Sequence, residues 1–260
     1  MITDFHCHAF PDPIAARAIP ALAKEGNIPA RTNGTVAGLL ASMDQAHIAR
    51  SVICSIATRP SQFQAILDWS LAIRSERIVP LASIHPDDPD LRERVRQIKA
   101  AGLVGIKMHP YYQDYFLAEE RLTPLYQALS EAGLLLVVHC GYDIAYPRIK
   151  RADPAQILTL HQRFPDLQLV TTHFGAWQDW EDVEELLIGH KIYMEISFSL
   201  QYLKPDEATR LIKAHPAEYL LFGSDSPWAE QQDCLNQFNS LGLDAALCHQ
   251  ILHDNAEKLL

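Results

Sequence analysis

The chain has 260 residues, 48% of them hydrophobic, and a formal net charge of −10 at pH 7. That length and apolar content allow one large core, and the basic residues form no dense stripe of the kind a nucleic-acid groove needs. No apolar run reaches the ~18 residues of a membrane span, Asp4 and His6 stand where a secretion signal would be basic and then apolar, and the five cysteines include no Cys-x-x-Cys pair. We therefore expect a soluble, reduced, cytoplasmic protein of a single domain, residues 1–260.

Short apolar runs alternate with amphipathic stretches along the chain. Ile2 to His8 reads as the first strand. In a regular strand Asp4, His6 and His8 share one face, and Phe5 and Cys7 the other. Two imidazoles side by side on a stiff strand can grip one divalent ion. Ala9 to Gly34 reads as a long connection, long enough for a lid. Thr35 to His47 has helical spacing, Ser51 to Ala57 is the second strand, and Ser61 to Ser75 the second helix. Ile78 to Ile84 is the third strand, and Asp90 to Ala101 is a charged helix stopped by Gly102. Val104 to Met108 is the fourth strand, followed by a helix from Leu122 to Ala132 that Gly133 closes. Leu134 to Val138 is the fifth, and Asp153 can cap a helix with Pro154 at its first position. Leu167 to Thr172 is the sixth strand, with an acidic helix from Asp179 to Leu187 after it. Ile192 to Phe198, a helix from Pro205 to Ala214, and Tyr219 to Phe222 complete the alternation. The remainder, Gln231 to Leu260, reads as helical segments broken near Gly242.

Continuous apolar strands flanked by helices imply a parallel sheet covered on both faces. Eight such units in this length match an α/β fold of the closed (β/α)8 barrel type, a TIM barrel. The alternative, an open doubly wound sheet, would carry a glycine-rich phosphate turn after its first strand, and none is present.

In a (β/α)8 barrel the active site lies at the C-terminal ends of the strands. There the sequence repeatedly puts polar residues: His6 and His8, His85, Lys107 and His109, His139, His173, and Asp225. A buried imidazole or carboxylate costs free energy unless it is paired or binds a metal, so six strands delivering such groups to one rim point to a metal site. His85 and His109, each followed by proline, read as rim hydrogen-bonding groups outside the ligand set. His47, His161, His190, His215, His249 and His253 fall in helices or connections and read as surface residues. Glu195 reads as a satisfied core or rim carboxylate.

The pattern resembles the amidohydrolase superfamily, in particular its small metal-dependent barrel hydrolases and decarboxylases without extra domains. The resemblance rests on Asp4-Phe-His-Cys-His8, Gly105-Ile-Lys-Met-His-Pro110, Val138-His-Cys-Gly141, Thr172-His-Phe-Gly175, Gly223-Ser-Asp-Ser-Pro227 and Asn255-Ala-Glu-Lys-Leu-Leu260, in that order. It implies that His6, His8, His139 and Asp225 are metal ligands, with Asp225 and His173 catalytic. It leaves His173 and Lys107 as further candidate ligands, since relatives with two metals often bridge them through a carboxylated fourth-strand lysine. We expect one ion rather than two. Zinc suits three imidazoles, a carboxylate and an open position for water, and manganese is left open. Such a centre activates water for hydrolysis of an ester, lactone or amide, with Asp225 as proton acceptor and His173 stabilising the developing negative charge. The resemblance equally implies metal-dependent decarboxylation of an aromatic or enoic acid. Lys107, His109, Tyr142, Arg148 and Trp228 are the expected substrate-binding residues, and Tyr146, Lys150 and Arg151 belong to the same aromatic and basic stretch. The expected partner is a small-molecule substrate, not nucleic acid or membrane, with homo-oligomer formation left open. A non-catalytic metal-binding barrel is the rival class. A metal-free phosphate-sugar isomerase fits less well, because it leaves the histidines unexplained.

Overall fold

The computed structural model describes residues 1–260 and has the expected alternation. The strands are β1 (Thr3–Cys7), β2 (Arg50–Cys54), β3 (Ile78–Leu81), β4 (Gly105–Met108), β5 (Leu135–Val138), β6 (Leu169–Thr171), β7 (Tyr193–Glu195) and β8 (Leu220–Leu221). Around them lie α1 (Asp12–Glu25), α2 (Val36–Gln45), α3 (Phe63–Ile73), α4 (Leu91–Ala100), α5 (Thr123–Ala132), α6 (Pro154–Arg163), α7 (Trp180–Leu186) and α8 (Pro205–Ala214). Helix boundaries follow local chemistry. Thr35 caps α2 by accepting from Gly38 N, Asp153 caps α6 by accepting from Gln156 N, and Gly133 ends α5 in the left-handed region.

The strands are parallel in the orders β1-β2-β3 and β4-β5-β6-β7-β8. Backbone hydrogen bonds join the two groups. Ala82 N donates to Gly105 O at 3.1 Å and Lys107 N to Ala82 O at 2.9 Å. On the other side, Phe5 N donates to Phe222 O at 2.8 Å and Asp225 N to His6 O at 2.8 Å. The barrel is thus closed, which leaves no open sheet edge.

Strand parity divides the core in two. Val52, Cys54, Leu81, Leu135, Val137, Val170 and Leu221 face inward with Phe5, while Ile53, Leu136 and Val138 pack outward against the helices. Leu259 and Leu260 of the C-terminal tail pack on the inner cluster beside Val79, Val104 and Tyr193, so the tail plugs the end of the barrel where strands begin. Asn255 Nδ2 anchors that tail by donating to Leu220 O at 2.8 Å and Ala217 O at 2.7 Å. The tail contains α9 (Gln231–Ser240), α10 (Ala245–His249), a π-turn over Gln250–Asp254, and α11 (Asn255–Glu257). No helix is long and apolar enough to cross a membrane, and all five cysteines are unpaired.

Three expectations are corrected. First, β1 is not regular: Asp4 pairs with Ser51 and Cys7 with Ile53, so β1 holds one more residue than β2 between the two pairs. This bulge puts Phe5 inside the barrel and Asp4 outside, beside Cys7 Sγ at 3.0 Å. Second, the Ala9–Gly34 connection contains α1, which Pro13 starts and which runs on through Pro20. A proline mid-helix normally argues against one, which hid this element. Third, His215 is not a surface residue but is buried, with Nε2 donating to Ile192 O at 2.9 Å.

Candidate active site

A cavity of about 390 Å³ opens at the C-terminal ends of the strands, with His6, His8, Lys107, His109, His139, His173 and Asp225 among the residues that line it. Of the expected substrate contacts, Lys107, His109, Tyr142 and Trp228 line it. Arg148 does not: its guanidinium lies 3.8 Å over the Tyr142 ring and donates to Gln178 Oε1 at 2.6 Å. Lys150 and Arg151 are paired with Asp179, Asp182 and Asp114. Guanidinium and ammonium heads stay near water unless a carboxylate meets them, and those carboxylates lie outside the cavity.

Three ligand atoms converge at the floor. His6 Nε2 is 3.1 Å from His8 Nε2, and Asp225 Oδ1 is 3.5 Å and 3.2 Å from these two nitrogens. The outer nitrogens settle the tautomers. His6 Nδ1 is 2.8 Å from Glu195 Oε1, and His8 Nδ1 is 2.9 Å from the carbonyl of Cys54. Both partners are acceptors, so each Nδ1 carries the proton and each Nε2 presents a lone pair. Two lone pairs and a carboxylate facing one another need a proton or a metal cation between them. Ligands ~2.1 Å from a tetrahedral ion sit about 3.4 Å apart, which the observed spacings match, so the donor set fits zinc or a similar divalent ion. Burial pushes the Asp225 carboxyl up, but His6 and His8 outweigh burial and bring it to about 2. Burial, with Lys107 nearby, pushes His6 well below the usual histidine range.

A second pair lies alongside. His173 Nε2 is 3.0 Å from His139 Nδ1, while His173 Nδ1 lies 3.1 Å from Ser197 O and His139 Nε2 lies 3.1 Å from Tyr142 O. The carbonyls again claim the outer protons, so the inner nitrogens need a shared proton or another cation. His139 is grouped by distance with His109 and Asp143, whose carboxylate is 3.4 Å from His109 Nε2, rather than with the His6–His8–Asp225 set. Burial, then His109 and His173, depress the pKa of His139. Lys107 is fully buried, with Nζ 3.3 Å from His6 Nε2.

Backbone geometry aims these groups. Asp225 has φ +69°, and His173, Phe174 and Gly175 are left-handed in succession, which is costly for side-chain-bearing residues. Glu195 holds the second of these turns, accepting from His173 N at 3.1 Å. Asp4 holds the first, its Oδ1 accepting from Ser224 N at 2.9 Å and from His6 N at 3.2 Å. Its Oδ2 accepts from Ser224 Oγ at 2.6 Å and Gln231 Nε2 at 2.8 Å. Asp4 thus ties the β1 bulge to the turn that carries Asp225. Gly141, at φ +83°, lies so close to the Trp177 backbone that a Cβ would collide with it.

The sequence reading gave Glu195 only a structural place, and did not single out Ser197, Asp143 or the clamp formed by Asp4. The signal for the first two was present: Glu195 and Ser197 alternate on one side of an apolar strand, as His6 and His8 do. Asp143 and the Asp4 clamp depend on loop and bulge geometry and left no periodic trace.

Comparison with known proteins is consistent with this geometry. A family model described as Amidohydrolase matches residues 3–260. An uncharacterized TIM-barrel protein of Bordetella bronchiseptica superposes with a TM-score of 0.81 at 19% identity, over 99% of this chain and 97% of that one. A 5-carboxyvanillate decarboxylase variant of Novosphingobium aromaticivorans, solved with manganese and 3-methoxy-4-hydroxy-5-nitrobenzoic acid, gives 0.74 at 13% identity, over 100% and 96%. At these identities the likeness is one of fold. A dihydroorotase of Vibrio vulnificus is 30% identical over 110 residues, which span 38% of this chain and 32% of that enzyme.

Proposed function

The chain belongs to the amidohydrolase family, and we propose that it is a metal-dependent hydrolase of a small ester, lactone or amide. The convergence of two imidazole lone pairs and the Asp225 carboxylate within 3.5 Å at the floor of a cavity carries this reading. His6, His8 and Asp225 would hold the ion, zinc by donor set, with His139 beside them. Bound there, a divalent cation supplies Lewis acidity that acidifies water and polarises a carbonyl.

The chain's own residues do the rest. Asp225, ionised, accepts a proton from the attacking water and passes it to the leaving oxygen or nitrogen. Glu195 keeps the His6 proton on Nδ1, so Nε2 stays a donor of electrons. His173, whose Nε2 lies 3.0 Å from His139 Nδ1, stands beside the ligand set and stabilises the oxygen that gains charge. Lys107 orients the carbonyl or carboxylate of the substrate from below; carboxylated, it would instead add a ligand and favour a second ion.

Decarboxylation is the second reading. It is favoured by the buried Lys107 ammonium, which forms no ion pair with a protein carboxylate, and by the aromatic walls Tyr112, Tyr142 and Trp228. These could seat an aromatic acid. The test is metal analysis of the purified protein, followed by a panel of esters, lactones, cyclic amides and aromatic acids. Acid release without carbon dioxide supports hydrolysis, and carbon dioxide release selects the second reading. A metal-loaded protein that turns over nothing on the panel would favour a non-catalytic barrel.

A further inference from the structure

The helices over the cavity carry apolar residues that the core does not use. Helix α3 buries Phe63, Leu67 and Ser70. One position along, Ile66 and Trp69 line the cavity instead. Helix α1 buries only Ala15 and Ile19, while Ile14 and Leu22 line the cavity from across the opening. Ile28 and Ile144 complete the wall. Of these six, Trp69 alone packs on the hydrophobic core. Ile14 and Ile144 are 45% and 40% exposed although each lines the cavity. An aliphatic stripe that stabilises no core and stays wet costs free energy unless something covers it.

Charge points the same way. Lys107, at the floor, is the single lysine among the lining residues, and no arginine lines the cavity. A second anionic group on a substrate would be desolvated there without a cationic partner.

We propose that the space between α1 and α3 is a subsite for an alkyl or aryl chain, so that the substrate is a hydrolysable head group on an apolar body with no second negative charge. The proposal rests on the hydrolytic reading for its head group and on the wall composition for its body. The polar head meets the histidines and Asp225, and the chain runs up towards Ile14 and Ile144.

The test uses the metal-loaded protein and 4-nitrophenyl esters from acetate to octanoate. kcat/KM is expected to rise by about fourfold per methylene, the factor for burial of one CH2 group, until the cavity is full. Ile66→Asn and Ile14→Asn, at positions the core does not need, should flatten that slope, with circular dichroism confirming the fold. A slope of zero, or preference for a carboxylate-ended chain, overturns the proposal. If no ester is hydrolysed at all, the hydrolytic reading fails separately, and binding then decides the subsite. Trp69, Trp177 and Trp228 line the cavity, so tryptophan fluorescence can follow titration with butan-1-ol, hexan-1-ol and octan-1-ol. Tightening with chain length that both variants weaken supports the subsite; affinity independent of length refutes it.

Discussion

Replacing Glu195 by glutamine tests how the site controls a tautomer. The carboxylate is fully buried; its Oε1 accepts from His6 Nδ1 at 2.8 Å, Ser197 Oγ at 2.8 Å and His173 N at 3.1 Å, and its Oε2 accepts from Ser197 N at 2.7 Å. Glutamine offers one acceptor oxygen where the carboxylate offers two. If that oxygen stays towards His6, the amide NH2 faces Ser197 N–H, donor against donor, and a buried amide loses its partner for about 1–3 kcal/mol. If the amide flips, its NH2 faces His6 Nδ1 and drives the His6 proton to Nε2, into the ligand cluster. The first outcome lowers Tm by roughly 2–4 °C per kcal/mol in a chain of this size. The second weakens metal binding by about 10–100-fold, the scale for groups that orient a metal-binding histidine. Thermal unfolding without metal and chelator competition with zinc or manganese read the two effects separately. A Glu195→Gln protein with both Tm and metal affinity at wild-type values would refute the reasoning.

Other expectations follow from the same geometry. Asp225→Asn should keep the fold and much of the metal but lose ~10² or more in kcat, the scale for a general base; metal content and turnover on one preparation check it. Asp4→Ala takes the side-chain acceptor from His6 N and Ser224 N inside the protein, and should cost about 2 kcal/mol or more in denaturant unfolding, at 1–3 kcal/mol for each unsatisfied group. Burial lowers the pKa of His215 to about 4. The unfolded chain therefore takes up the proton first, and the stability His215 contributes is complete above pH ~6.5 and drains away as pH falls towards 4. His215→Gln should accordingly lose about 2 kcal/mol less than wild type between pH 6.5 and 4.5, measured by urea unfolding; equal losses would remove His215 from the acid response.

Much of the barrel was legible in the chain itself, because apolar runs of strand length alternate with amphipathic runs of helix length, and local periodicity records both. The polar residues at strand ends were legible for the same reason: a side chain's place relative to its strand is local information. The identity of β1 as a carrier of His6 and His8 therefore survived, and so did the inward aim of Lys107 and His109. Which face Asp4 and Phe5 take was not local. One extra residue in β1 opposite β2 reverses parity, and the buried Asp4 clamp to Ser224 and Gln231, more than 200 positions away, helps to hold that bulge. Helix α1 was masked by Pro20, and the burial of His215 by a carbonyl on Ile192. Arg148 sits on the expected loop but lies over the Tyr142 ring and donates to Gln178 outside the cavity, a tertiary contact that its place in the sequence does not reveal. Periodicity therefore determined the strands, the helices and the residues at the rim. Long-range hydrogen bonds to Glu195 and Cys54 decided which nitrogen of His6 and of His8 carries its proton, and so which atoms meet at the floor.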